Sequence, residues 1–260
     1  MMGYAVLLYD KRGTGDATGA PWSSATFDDL AGDMLAAVAL LKKHPDIDAK
    51  KIGLQGNSQA GWVIPLATVA SNDVRFVIIA SGGGITNSDT DIHEARYYIQ
   101  ESKLPAADAD ELLNYVKAKW NYALTETGWD AYEIALKKAQ GKTWLLNFGG
   151  PAVKDPKAWR KIGLHKDKDL EAEKTIAQIK VPILLLYGEP ALDEHMPVID
   201  SIKGWENAFK MSGNKDHEIK KLSGVGHSVF LAIANGKSVI NQEAFTAVKD
   251  WLAVHLKPLQ

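Results

Sequence analysis

Gly56-Asn57-Ser58-Gln59-Ala60-Gly61 is the stretch of sequence that decides the fold. A strand-like run precedes it, and a helical pattern, Ala60–Ala70, follows it. A serine can stand above a sheet on a sharp strand-to-helix turn only when the residues two before and two after it are small. Gly56 and Ala60 meet this demand, although the second position more often carries glycine. The stretch predicts a turn that presents Ser58; alternatively, the serine is only a helix N-cap.

Strands and helices alternate on both sides of this turn. Short apolar runs rich in β-branched or aromatic residues predict strands at Tyr4–Tyr9, Lys51–Gln55, Arg75–Ala80, Val181–Tyr187 and His217–Leu222. Apolar residues at helical spacing predict further helices at Thr26–His44 and Gln242–Leu256. Nearly continuous apolar strands that alternate with helices are typical of a parallel sheet covered on both faces. We therefore predict an α/β fold with a doubly wound, mostly parallel sheet.

One long stretch interrupts the alternation. Residues 87–179 lack a comparably strong strand, and their periodicity predicts several helices. Because a connection of this length must pack as a subdomain, we expect residues 1–86 and 180–260 to form the core and 87–179 to form a helical cap insertion over Ser58. Its tryptophans include Trp120 and Trp144, which are candidates for lining a substrate pocket. Packing between helices would explain buried tryptophans equally well.

Composition and charge exclude several classes of function. The 260 residues suit one α/β domain with an insertion, and a net charge of −2 gives no electrostatic footprint for nucleic acid. The absence of cysteine excludes disulfides and thiolate chemistry, and no His, Asp or Glu spacing resembles a metal site. No apolar run approaches the roughly 18 residues of a membrane span, and the first residues do not form a signal peptide. We expect no cofactor, no metal and no membrane partner, and a cytoplasmic location by default.

A run of three glycines, Gly82-Gly83-Gly84, follows the predicted strand Arg75–Ala80. Glycine runs after strands can bind phosphate, but this one lacks both the lysine of a P-loop and the spacing of a dinucleotide fingerprint. We therefore predict a flexible connection into the insertion.

Two loops supply candidates for a base and an acid to serve Ser58. A serine nucleophile needs a base, and the base needs an orienting carboxylate. The loop after Val181–Tyr187 reads GEPALDEHMP, and the loop after His217–Leu222 reads SGVGHS, which contains His227. Because parallel strands bring their carboxyl ends to one edge of the sheet, both loops are expected beside Ser58. The helix behind Ser58 also aims the Gln59 backbone N–H at a developing oxyanion.

The chain resembles the α/β-hydrolase esterases and serine aminopeptidase-like acyl hydrolases. The resemblance rests on YDKRGTGDATG (Tyr9–Gly19), GNSQAG, the GE…DEHMP loop and GVGH, and it extends through the chain, most weakly in the insertion. It implies that Ser58 is the nucleophile, His227 the base and Asp193 the acid of a Ser-His-Asp triad. The spacing from Gly188 to the acid is longer than the family's usual pattern, which leaves Glu189 and Glu194 as alternatives.

The same resemblance implies an enzymatic activity and the absence of the family's N-terminal strands. We expect a serine hydrolase, and specifically a carboxylesterase acting on a small-molecule acyl ester; a peptidase, an acyltransferase and an inactive or purely binding fragment are the alternatives. The family's fold normally begins with further strands and a turn that supplies a second oxyanion donor. Nothing like that turn precedes Tyr4–Tyr9, so we expect the fold to be N-terminally truncated or the sheet to close differently.

Overall fold

A four-stranded parallel sheet forms the centre of the protein. The computed structural model describes residues 4–148, 172–234 and 237–256. The strands are β1 (Leu54–Asn57), β2 (Val77–Ala80), β3 (Ile183–Tyr187) and β4 (His217–Lys221), arranged in the order β1-β2-β3-β4. An antiparallel hairpin follows, made of β5 (Leu231–Ala234) and β6 (Lys237–Ile240). The predicted doubly wound, mostly parallel α/β sheet is confirmed, and all four parallel strands end at the same edge.

Nine α-helices lie within the described residues. They are α1 (Phe27–Leu41), α2 (Ala60–Ala70), α3 (Asn87–Ser102), α4 (Ala106–Thr125), α5 (Trp129–Ala139), α6 (Leu145–Phe148), α7 (Ala172–Ile176), α8 (Val198–Ser212) and α9 (Gln242–His255). Side-chain caps fix where several of them begin: the Thr26 hydroxyl accepts the Asp29 N–H ahead of α1, and the Asn241 side chain accepts the Glu243 N–H ahead of α9. None of these helices combines the length and apolar character needed to cross a membrane.

The two faces of the sheet bury different residues. On β3, Ile183, Leu185 and Tyr187 belong to a cluster that also contains side chains of α1, α2, α7 and α8. The alternate residues Leu184 and Leu186 belong to a second cluster with α9. This period of two is the consequence of strand geometry, and it explains why β3 reads as a continuous apolar run.

The helices between β2 and β3 have a core of their own. Side chains from α3, α4 and α5 form a third cluster that includes Tyr115, Tyr132 and Trp144. The predicted insertion extended to residue 179, but α7 packs against α2 and α8, and its residues Ala172 and Ile176 lie in the main cluster. The predicted segment 149–171 lies outside the described residues.

The predicted strand Tyr4–Tyr9 is wrong: none of its residues pairs with the sheet. Val6 and Leu8 are 79% and 87% exposed, and β1 has β2 as its sole neighbour among the described strands. A cavity of about 200 Å³, lined among others by Tyr9 and Gly56, lies beside this segment. An apolar run becomes a strand only when a neighbouring strand completes its hydrogen bonds. Tyr4–Tyr9 has no such neighbour among the described residues.

Candidate active site

Ser58 occupies a strained turn between β1 and α2. Its φ of 54° lies in the left-handed region, which is unfavourable for a residue with a side chain and costs about 1–3 kcal/mol. The Ser58 N–H donates to the carbonyl of Ala80 at 2.8 Å, and the Ser58 carbonyl accepts the Gly61 N–H at 2.8 Å. A Cβ at Gly56 would lie 2.4 Å from the Cβ of Ala60, so this glycine is sterically required. The turn has the geometry that the sequence predicts.

The glycine run after β2 supports this turn from behind. Gly82, Gly83 and Gly84 are buried, and a Cβ added at Gly82 would lie 2.1 Å from the Ser58 carbonyl oxygen. A Cβ at Gly61 would in turn lie 2.1 Å from the Gly82 carbonyl carbon. The prediction of a flexible connection is therefore wrong: the glycines allow two backbone segments to touch.

The Gln59 backbone N–H is the predicted oxyanion donor. Gln59 immediately precedes α2 in a right-handed conformation, and its N–H has no acceptor within the described residues. Its side chain is occupied elsewhere, because the Lys11 ammonium donates to Gln59 Oε1 at 2.9 Å and lies 4.5 Å from the centre of the Trp22 ring. The free N–H at a helix N-terminus is suited to a negatively charged oxygen.

Asp193 and His227 form a directly bonded pair. His227 Nδ1 lies 3.0 Å from Asp193 Oδ1, and the Asp193 side chain is fully buried. The same oxygen accepts the backbone N–H groups of His195 at 3.0 Å and Met196 at 2.8 Å. Because an ionised carboxylate only accepts hydrogen bonds, this contact selects the neutral tautomer in which Nδ1 carries the proton and Nε2 keeps its lone pair. This is the tautomer that a general base requires.

The two alternative acids have other partners. Glu189 Oε1 accepts the Ser223 hydroxyl at 2.6 Å and the Gly224 N–H at 2.8 Å, and these two bonds lower the pKa of Glu189. The carboxylate therefore fixes the turn that leads to His227. Glu194 is half exposed and lies 3.5 Å from His195 Nε2. Of the three carboxylates, Asp193 is the one that contacts the His227 ring.

The structure brings some of the predicted residues together and not others. Ser58 follows β1, Asp193 follows β3 and His227 follows β4, so all three lie at the carboxyl edge of the sheet. Within the described residues, the Ser58 hydroxyl has no hydrogen bond to His227. Trp120 and Trp144 are 2% and 1% exposed and lie in the core of the helical insertion, where the Trp120 N–H donates to Asp91 at 2.8 Å. No group of three metal-ligating side chains occurs in the described ranges.

Three side chains at this site were not predicted as site residues. The His93 ring on α3 is 3.1 Å from the Asp193 carbonyl oxygen, and Glu94 on the same helix is 2.7 Å from His195 Nδ1. The His195 ring stands edge-on to the His227 ring, with 4.8 Å between the ring centres. The one signal in the sequence was the position of His195 within the acid loop; its partner Glu94 is 101 residues away.

Comparison of the sequence with protein families and curated proteins gives one family. A profile for the X-Pro dipeptidyl-peptidase (S15) family matches residues 1–197, which include Ser58 and Asp193. The comparison with curated proteins gives no match.

Solved structures share the fold at low sequence identity. An esterase of Pyrococcus furiosus is 17% identical with a TM-score of 0.55, and the alignment covers 93% of this chain and 66% of the esterase. The α/β-hydrolase GrgF from Penicillium sp. sh18 is 19% identical with a TM-score of 0.55, covering 96% of this chain and 79% of GrgF. DcsB, solved with a substrate analogue, is 16% identical with a TM-score of 0.54, covering 96% and 80%. These similarities establish the α/β-hydrolase fold.

Proposed function

The chain belongs to the X-Pro dipeptidyl-peptidase (S15) family of α/β-hydrolases, and from this premise we propose that it is a serine hydrolase that cleaves carboxylic ester bonds through Ser58, His227 and Asp193. The observation that carries the proposal is the 3.0 Å contact between His227 Nδ1 and the buried Asp193 carboxylate. It stands at the same sheet edge as a serine held at a φ of 54°. A structural serine would need neither the strained backbone nor an oriented histidine.

The proposed reaction uses the three side chains and one backbone N–H group. His227 Nε2 takes the proton from the Ser58 hydroxyl as its oxygen attacks the substrate carbonyl, and it returns the proton to the leaving alcohol. Asp193 holds the imidazole in the required tautomer and stabilises the imidazolium. The acyl group then remains on Ser58 until water, activated by the same histidine, releases it. In both the acylation and the deacylation step, the Gln59 N–H stabilises the negative oxygen of the tetrahedral intermediate.

A peptide bond is the second candidate substrate, because the matching family is named for X-Pro dipeptidyl-peptidases. The same residues serve both reactions: the step that differs is the departure of an amine, which must receive the proton from His227 before the bond breaks. Esters make smaller demands on that step because an alcohol leaves more readily. Activity on an ester is therefore expected in either case, and activity on an X-Pro amide only in the second.

Labelling with a fluorophosphonate tests the proposed nucleophile. We expect the probe to label the wild-type chain and to leave Ser58→Ala unlabelled, because only an activated serine attacks the phosphorus. Ser228→Ala is the matched control, since this exposed serine follows His227 directly and should label like the wild type. Equal labelling of Ser58→Ala would disprove the assignment, and no labelling of the wild type would favour a binding protein.

Parallel assays with p-nitrophenyl butyrate and Ala-Pro-p-nitroanilide then separate the two substrates. We expect turnover of the ester, lost in Ser58→Ala. Turnover of the anilide at a kcat/KM comparable to or higher than that of the ester would favour peptidase activity over esterase activity.

A further inference from the structure

A helix of the insertion contacts the loop that carries the catalytic acid. On α3, His93 Nε2 lies 3.1 Å from the Asp193 carbonyl oxygen, and Glu94 Oε1 lies 2.7 Å from His195 Nδ1. These two neighbouring residues therefore bind two points of one loop. No contact of this kind is needed to connect β2 with β3.

The helix that carries Glu94 is fixed at its start and along its length. The Thr86 hydroxyl caps α3 by accepting the Asp89 N–H at 3.2 Å. One turn before Glu94, Asp91 accepts hydrogen bonds from the Lys119 ammonium at 2.9 Å and from the Trp120 ring at 2.8 Å. Because α3 is anchored to α4 in this way, Glu94 is presented to His195 from a supported position.

Carboxylates and a second histidine face His195 from three parts of the chain. Glu94 faces it from α3, Glu194 and Asp193 belong to its own loop, and the His227 ring faces it from the loop after β4. The bond to the Glu94 carboxylate raises the pKa of His195 above its ordinary 6.5, partial burial opposes this rise, and the nearby charges of Glu94, Glu194 and Asp193 add to it. His195 therefore keeps its proton to a higher pH than a histidine of ordinary pKa does.

We propose that the Glu94–His195 pair is a positioning element of the active site, in which the positive charge of His195 opposes protonation of His227 and keeps it a free base at lower pH. The two rings are 4.8 Å apart, within the distance at which one imidazolium disfavours another. The negative charge of Asp193 favours protonation of His227, and the Glu94–His195 pair counterbalances that effect. The proposal rests on the proposed function for its effect on catalysis.

The pH dependence of Ser58 labelling by a fluorophosphonate tests the proposal. In His195→Gln, we expect the acidic limb of the rate–pH profile to move to higher pH by about 0.5–1 unit, because removing the cation lets His227 keep its proton longer. Glu101→Gln is the control: it removes the same charge from α3, two turns away from Glu94, and should leave the profile unchanged. A lower plateau with an unmoved limb would show a purely structural role and would overturn the proposal.

Histidine titration by NMR makes the test independent of catalysis. We expect the His227 ring to titrate at higher pH in His195→Gln than in the wild type, and the His195 ring to titrate at lower pH in Glu94→Gln. Both measurements apply even if the wild type fails to label, so failure of the proposed function and failure of this inference are distinguishable. Should His195→Gln fail to fold, Glu94→Gln still reports on the charge of His195. Unchanged titration of the His227 ring in His195→Gln would overturn the inference, whatever the His195 ring does in Glu94→Gln.

Discussion

Asp193 uses one carboxylate oxygen for three hydrogen bonds, to the His227 ring and to the N–H groups of His195 and Met196. The two backbone bonds hold the carboxylate in place before any substrate arrives, so the histidine is oriented in advance.

Asp193→Asn is therefore expected to lower ester turnover by about 10³- to 10⁴-fold, because an amide at this position permits the wrong tautomer of His227. Glu189→Gln is the matched variant, since its amide oxygen still accepts from Ser223 and Gly224, and we expect a change of no more than a few-fold. The measurement is kcat/KM for p-nitrophenyl butyrate at one pH. A larger loss in Glu189→Gln than in Asp193→Asn would contradict the assignment of the acid.

Individual residues differed in how far the sequence could reveal them. The demand for small residues around Ser58 is local, so Gly56 and Ala60 could be read directly from spacing. The loop spacing left Asp193, Glu189 and Glu194 open, because which carboxylate faces the histidine depends on loop conformation. The partnership of Glu94 with His195 joins residues 101 positions apart, and no local pattern indicates such a contact.

Among the elements, the segment Gly82–Gly84 shows how close packing supports the site. The Gly82 carbonyl accepts the Tyr187 hydroxyl at 2.8 Å and the Trp205 ring N–H at 3.2 Å, while its Cα faces the Ser58 carbonyl. Buried donors from β3 and α8 thus fix the backbone against which the turn that carries Ser58 packs. Burial raises the pKa of Tyr187, which keeps its hydroxyl a donor at any ordinary pH.

Gly82→Ala should destabilise the protein by about 1–3 kcal/mol or more, because the added Cβ would meet backbone, which cannot move aside as a side chain could. Gly32→Ala is the matched control: it lies exposed in α1 with nothing near its Cβ, and we expect a gain of about 0.5–1 kcal/mol. Urea unfolding followed by circular dichroism measures both. Equal stability of the two variants would refute the close approach.

Elements were predictable where their pattern is local and repetitive. The helix predicted at Ala60–Ala70 has those bounds. Four of the predicted strands are present, three of them with shorter limits and the first shifted from Lys51–Gln55 to Leu54–Asn57. The helix α8 and the hairpin β5–β6 were not predicted. The residues of β6 are all exposed and show little alternation between apolar and polar types, so the sequence gives no strand pattern there. The register of the hairpin is set by the pairing of β5 with β6, which cannot be inferred from either segment alone.

At the scale of the whole molecule, the described sheet has an open side. Val6 and Leu8 are largely exposed on the segment beside β1, and the backbone groups along that edge of β1 have no partner strand in the part of the chain that the structure describes. The prediction of a strand at Tyr4–Tyr9 failed for the same reason: the pattern indicates a preference for pairing, while a strand needs a partner. Exposed apolar residues beside an unpaired edge favour association between molecules.

The chain is accordingly expected to associate as its concentration rises, and Val6→Lys with Leu8→Lys should suppress this. Lysine at these exposed positions costs little in the folded state, while its charge opposes pairing of one edge with another. Leu146→Lys is the matched control, because Leu146 is 91% exposed on α6, within the insertion. Sedimentation velocity over a hundredfold range of concentration gives the result: we expect the double variant to remain near 28.4 kDa while the wild type and the control shift to larger species. A wild type that stays monomeric throughout would contradict the argument, and equal suppression by Leu146→Lys would move the contact surface to the insertion.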